Sequence, residues 1–418
     1  MKEKLVSMVF LAMVAIGASA QNNVNAFRGS QNHDGNYVNE KGLLKQWPAE
    51  GPQMLWENLQ IGKGYSSPVI VGDRIYITGM TEDEKQETFS ALSLDGKIIY
   101  TISYSAPWNE AYPETRTTPT IVDGKAYVIS GSGDVVCINC ADGKIIWKVA
   151  GKSTYSSVTG HWGTAESPLV YDNKVIYTPG GSQTSMVALD KETGKEIWKT
   201  TSPKAHRAYV SPIMIEWKGK RQIVGSLAEV LFGVNPETGA VEWSFTDWPS
   251  PNTYENIAPN APLFKDGALF FSQGYDTGGY LVKLNDTLTG VTKAWKTDDL
   301  DTHHGGYVLL NGVIYGSNWI NNTSGNWLAI DWNTGKTIYN TAWKGGKGKG
   351  SIITADGMLY AYDERRGFVG LVQPGNDFNV VSEFRITKGE GPYWAHLVIN
   401  NGVLYVRHGS ALQAYRIK

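Results

Sequence analysis

Ala188-Leu189-Asp190-Lys191-Glu192-Thr193-Gly194-Lys195-Glu196-Ile197-Trp198 reads as one strand, a tight turn and a second strand. Glu-Thr-Gly is turn chemistry, and glycine supplies the backbone freedom that a reversal needs. A glycine followed shortly by an aromatic recurs at Gly96 to Tyr100, Gly143 to Trp147, Gly239 to Trp243, Gly290 to Trp295 and Gly335 to Tyr339. With Gly194 included, successive glycines stand 47, 51, 45, 51 and 45 residues apart. A second marker, an apolar pair usually ending in Tyr, occurs eight times, from Ile75-Tyr76 through Ala126-Tyr127, Ile176-Tyr177, Ile223-Val224, Leu269-Phe270, Ile314-Tyr315 and Leu359-Tyr360 to Leu404-Tyr405.

A period of this length marks stacked or radial units. Each unit reads as four short strands; in the third, Ser167-Pro168-Leu169-Val170, Val175-Ile176-Tyr177, Met186 to Asp190 and Glu196-Ile197-Trp198. No long stretch of helical period intervenes, so helical solenoids are excluded. Radial closure of four-stranded blades leaves only short, protected edges. The fold expected is therefore all-β, an eight-bladed β-propeller. The eighth unit, from Trp394 to Lys418, holds only three strands, and Met54 to Asn58 resembles a fourth strand without a blade. The N-terminal strand should complete the last blade and close the ring. Pro68, Pro119, Pro168, Pro212 and Pro262 fall in strand one of their units, where an inner edge facing the channel tolerates a missing donor. The fourth-strand rings Trp147, Trp198, Trp243 and Trp295 read as wedges between sheets.

Composition agrees. The chain of 418 residues carries 47 Gly, 15 Trp and 22 Tyr, a β-rich, turn-rich balance. Lys and Arg number 38 against 40 Asp and Glu, so no basic excess exists to neutralise phosphates, and nucleic-acid binding is not expected. Lys2 and Lys4, the apolar run Leu5 to Ile16, and Ala18-Ser19-Ala20 read as an export signal ending before Gln21. Residues 1–20 are then a signal peptide and 21–418 one propeller domain, periplasmic or secreted, with no transmembrane segment expected after cleavage. Cys137 and Cys140 read as two inert thiols or one structural disulfide.

The Ala-Leu-Asp-x-x-Thr-Gly-Lys-x-x-Trp repeat, the opening Phe27-Arg28-Gly29 with Asp34-Gly35, and Gly64-Tyr65-Ser66-Ser67-Pro68 resemble the pyrroloquinoline-quinone (PQQ) type β-propellers of bacteria. That family includes quinoprotein alcohol and sugar dehydrogenases and a non-enzymatic periplasmic scaffold of outer-membrane barrel assembly. Fold alone does not choose between them.

Aligning the eight strand-one approaches places Tyr65, Arg116, Ala165, Tyr209, Pro259, His304, Lys349 and Trp394 at equivalent positions around one channel mouth. The next position holds Glu166 and Asn260, and His396 follows Trp394 by two. Such divergence within a pseudo-symmetric ring points to separate duties and to a ligand site. The resemblance implies more. Arg116 and Lys349 would pair with PQQ carboxylates, and Trp162, Trp394 or Tyr209 would stack on its plane. Glu166 and Asn260 would hold calcium, and Asp299 or Asp301 would be the base that takes the alcohol proton. His304 and His396 complete the cofactor-binding set. A transition-metal reading groups His303-His304 with His206, His396 and Glu166, although neighbouring histidines on a strand diverge. The Gly345 to Gly350 stretch reads as an inter-blade loop that turns Lys349 to the channel. The function expected is either a quinoprotein-type dehydrogenase of an alcohol or sugar, or a non-catalytic propeller binding a glycan, a peptide or an outer-membrane assembly partner.

Overall fold

Eight sheets of four antiparallel strands follow one another in the computed structural model, which describes residues 23–181, 183–247 and 259–418. The signal reading falls on residues 1–20, outside the described residues. The third blade shows how sequence makes the unit. Its strands are Leu169–Tyr171, Lys174–Tyr177, Val187–Asp190 and Glu196–Lys199, paired in chain order. Asp190 Oδ1 accepts the backbone N–H groups of Glu192 and Thr193 at 3.1 and 2.9 Å, which holds the last reversal. Gly194 follows at φ +71°, a conformation that favours glycine.

Apolar side chains on both faces of a blade pack against the blades beside it. Val69, Tyr76, Phe89, Ile121, Ala126 and Val136 share one buried cluster between blades one and two. Tyr127, Val135, Trp147, Val175 and Leu189 form the next. The wedge rings reach across these seams. Trp147 Nε1 donates to Lys191 O, Trp198 Nε1 to Pro236 O and Trp295 Nε1 to Trp332 O, each at 3.0 Å in the following blade. Trp243 departs from the pattern, because its Nε1 donates within its own blade to Gln222 Oε1.

Ring closure takes the form read from the sequence. Gln53–Asn58 pairs antiparallel with Ala411–Arg416 and supplies the fourth strand of the blade that begins at Val398–Asn400. Pro68, Pro119, Pro168, Pro212 and Pro262 each stand one residue before the first paired residue of strand one rather than inside it. There a missing N–H removes no ladder bond. Cys137 and Cys140 are buried and unbridged. They pack into different inter-blade clusters, and burial pushes both thiols up to about 12. Among the described residues no helix is long and apolar enough to cross a membrane.

The N-terminal segment does something the repeat does not suggest. Val24 pairs with Ile70 of blade one, and Asn25 O accepts from Ile121 N of blade two at 2.8 Å. Gln31 Oε1 accepts from Val170 N of blade three. Arg28 donates to Tyr307 O at the start of blade six at 2.7 Å, and Asn36–Tyr37 adds a parallel fifth strand to blade seven. A segment bonded to the innermost strands of opposite blades must cross the channel. It closes the channel from within.

Candidate functional site

Above this crossing segment lies a cavity of about 400 Å³. Phe27 of the crossing segment lines it. Its ring meets the His396 imidazole edge-on, with centroids 4.9 Å apart. Seven of the eight equivalent strand-one positions line the cavity, namely Tyr65, Arg116, Ala165, Tyr209, Pro259, His304 and Trp394. The shared position is a physical consequence of pseudo-symmetry, since residues at one height of an inner strand converge on one axis.

Aromatic rings dominate the wall. Trp394 packs against Tyr65, Tyr112 and His304 with centroids 5.0, 4.9 and 5.1 Å away. Trp162 lies opposite Tyr112 at 5.9 Å, and its backbone N–H donates to the Tyr209 hydroxyl at 3.0 Å. Arg116 sits 5.8 Å from the Tyr65 ring centroid. Its guanidinium donates to Ala111, Tyr112 and Glu114 carbonyls, so it fixes the loop that presents Tyr112 while keeping its charge at the cavity.

The histidines have distinct settings. His396 uses both ring nitrogens, with Nδ1 2.9 Å from Arg28 Nη1 and Nε2 3.0 Å from His304 O. Donation by Arg28 and by Nε2–H fits a neutral ring, and burial holds His396 well below its ordinary range. Burial and the Lys349 charge push His304 down to about 3. His303 precedes it in a turn, not on a strand, so the two neighbouring rings converge with centroids 4.3 Å apart. Burial pushes the Glu364 carboxyl up to about 7, against the pull of Lys349.

Other residues singled out in the sequence sit elsewhere. Lys349 is buried behind the wall, bonded to Glu364 Oε1 and to the carbonyls of Asn321 and Asn322. Glu166 is fully buried, accepts Thr178 N at 2.8 Å and the Thr178 hydroxyl, and faces Arg207 Nη2 at 3.4 Å. Asn260 gives its amide N–H groups to the carbonyls of Thr302 and His303. Asp301 accepts the backbone N–H groups of Asp276 and Gly278 at 2.6 and 2.9 Å, and Asp299 is exposed with a bond to the Thr337 hydroxyl. His206 is exposed and pairs with Glu229. The Glu166 oxygens are thus committed to the protein, neither Glu166 nor Asn260 lines the cavity, and this donor set does not fit calcium held against a quinone. Neither Asp299 nor Asp301 lines the cavity.

Aligning strand-one positions misses Phe27, Tyr112, Tyr275, Asn322, Thr323 and Glu364, all of which line the cavity. Asn322, Thr323, Tyr275 and Glu364 come from the loops between strands two and three of blades five, six and seven. Their sequence signal is only that these loops carry polar and aromatic residues beyond what a reversal needs.

A family profile described as outer membrane protein assembly factor BamB matches residues 85–341. The outer membrane protein assembly factor BamB of Alkalilimnicola ehrlichii is 25% identical over 142 residues, covering 33% of this chain and 32% of that protein. The chain thus aligns with about a third of that curated relative. Among solved structures, BamB from Moraxella catarrhalis superposes with TM-score 0.65 at 15% identity, over 87% of this chain and 99% of its own. Quinohemoprotein alcohol dehydrogenase from Comamonas testosteroni gives TM-score 0.68 at 13% identity, over 95% and 80%. At such identities the superpositions speak for the fold.

Proposed function

The chain belongs to the PQQ-type β-propeller family whose profile is described as outer membrane protein assembly factor BamB, and from that membership and the closed cavity we propose that it is an exported binding propeller. Its ligand is a small ring-bearing molecule, a sugar or an aromatic acid, taken into the mouth of the channel. One observation carries this reading: the channel is closed from within by residues 24–37, and the dead-end cup above is walled by Tyr65, Tyr112, Trp162, Tyr209 and Trp394 beside the Arg116 charge. Flat rings stack on such walls, and a fixed cation orients a ring acid or a hydroxyl. Export to the periplasm or beyond rests on the charged, apolar and small-residue pattern of residues 2–20. The dehydrogenase reading is the weaker one, because the calcium donors and the base it needs lie outside the cup. The family description favours a second reading, in which a loop of an assembly partner enters the same cup.

Tryptophan fluorescence tests the proposal. Wild type and Trp394→Ala are titrated with monosaccharides and aromatic carboxylates, and in parallel with PQQ plus calcium. A saturable change for a ring compound, weakened at least about tenfold in Trp394→Ala, supports the cup. Stoichiometric uptake of PQQ with calcium returns the dehydrogenase reading. No response to any ring compound at millimolar concentration overturns the small-molecule reading and leaves the partner loop.

A further inference from the structure

Two buried ring nitrogens in the cup wall have no hydrogen-bond partner, Nδ1 of His303 and Nε2 of His304. Buried polar atoms are nearly always paired, so two orphans side by side call for a ligand that the protein atoms do not supply. Glu364 stands beside them, with Oε2 3.4 Å from His304 Nε2. One donor atom from each of the three residues lies within 4.8 Å of the other two. The far sides of His303 and Glu364 are already anchored. The Tyr275 hydroxyl is 2.8 Å from His303 Nε2, and Lys349 holds Glu364 Oε1. Metal-binding imidazoles and carboxylates are characteristically fixed in this manner through the atom that does not face the metal.

We propose that His303, His304 and Glu364 bind one divalent transition-metal ion of the zinc class. Two imidazoles and one carboxylate suit zinc, whereas calcium and magnesium ask for six or more oxygens. Tetrahedral bonds of ~2.0–2.1 Å set donors roughly 3.3 Å apart, so the three groups close by about an ångström when the ion enters. Small side-chain rotations at the turn and the loop that carry them would provide that movement. Three protein ligands leave a coordination position open. All three residues line the cup, so that position faces the cavity and is filled by water or by a donor atom of whatever occupies it. His396 takes no part, since both its nitrogens are used, and His206 and Glu166 lie elsewhere. The site goes beyond the ring-ligand reading, because the ion binds whether or not such a ligand enters.

The test is isothermal titration of chelator-treated protein with zinc chloride, with cobalt(II) absorption as an independent report of coordination. One ion per chain is expected, with a cobalt spectrum of the intense, low-symmetry type. His304→Ala and Glu364→Gln should each weaken zinc at least about 100-fold, Tyr275→Phe about 10-fold, and His206→Ala not at all. A zinc-induced rise in melting temperature, present in wild type and absent in His304→Ala, guards against a variant that merely folds poorly. Wild type that takes up no zinc overturns the proposal. So does uptake that survives in folded His304→Ala and Glu364→Gln, or that is lost in His206→Ala. Failure of the ring-ligand titration with zinc still bound would sink the cup's ligand and spare the metal site.

Discussion

Arg407 lies on the second strand of the last blade, Val403–His408, and is fully buried. Its Nη1 donates to Ser66 O at 3.0 Å, to Thr78 O at 2.8 Å and to the Ser66 hydroxyl. Nη2 donates to Gly62 O at 2.9 Å, and Nε to Gly409 O at 3.0 Å. Gly62, Ser66 and Thr78 belong to the first blade or its approach, so one guanidinium spans the seam between the last blade and the first. Gly64 has no side chain because the guanidinium occupies the space a Cβ would need. Arg407→Met keeps the stem and removes every donor. Thr78 O retains the Ser66 hydroxyl at 3.1 Å, but Ser66 O, Gly62 O and Gly409 O lose their Arg407 donors. Each orphaned buried acceptor costs about 1–3 kcal/mol. Removing a buried charge returns part of its desolvation cost, so a net loss of about 3 kcal/mol is expected. Urea unfolding followed by tryptophan fluorescence measures it, with Arg221→Met as the control. Arg221 pairs with Glu216 and Tyr171 on the surface, and its loss should stay within about 0.5 kcal/mol. If Arg407→Met loses less than about 1 kcal/mol, the guanidinium does not hold the seam and the reasoning fails.

Gly239 sits at φ +73°, and an added Cβ would lie 2.6 Å from Cε3 of Trp198 in the preceding blade. Gly239→Ala should therefore destabilise by about 2–4 kcal/mol in the same urea assay, from backbone strain and a displaced ring together. Glu87 accepts Gly131 N at 3.1 Å and the Tyr104 hydroxyl at 2.6 Å, yet burial pushes its carboxyl up from 4.5 to about 7. Its folded-state pKa is raised, so the folded protein binds the extra proton, and this contribution to stability is complete below about pH 4.5 and lost as pH rises through about 7. Melting temperature should fall between pH 5 and 7.5 in wild type, and Glu87→Gln should flatten that slope; an unchanged slope would show that other groups govern it.

The ring was legible because its period is enforced by packing. Each blade must bury both faces, so a wedge ring, a glycine that makes room for it and an Asp or Asn that closes the turn recur around the ring, as Trp198, Gly239 and Asn235 do. The height of the strand-one residues on the axis followed from the same symmetry. What lay hidden has no period. Residues 24–37 cross the channel once, and their bonds to Ile70, Ile121, Val170 and Tyr307 connect positions that no local pattern relates. Lys349 stands at the right position in the ring, yet Glu364 and two carbonyls draw its ammonium behind the wall, because a buried charge settles where partners are. Glu166 is drawn likewise toward Thr178 and Arg207.

The contrast between two positions of strand one, two residues apart, separates scaffold from site. At the position of Ser67, Thr118, Ser167 and Ser211 a hydroxyl recurs. Thr118 Oγ1 accepts Ser67 N at 2.9 Å, and Ser211 Oγ accepts Ser167 N at 2.9 Å, so each small side chain ties its inner strand to the neighbouring one. Identical duties around a ring select identical residues. Two positions earlier the side chains face the axis, where nothing is shared between blades, and there Tyr65, Arg116, Ala165, Tyr209, Pro259, His304 and Trp394 all differ in environment and most in kind. A propeller can therefore change its chemistry at those positions and in the loops behind them without loosening the ring. That freedom explains how a chain can superpose on an assembly factor and on an alcohol dehydrogenase about equally well while the fold alone assigns neither role to its cup, which its own N-terminal segment closes at the base.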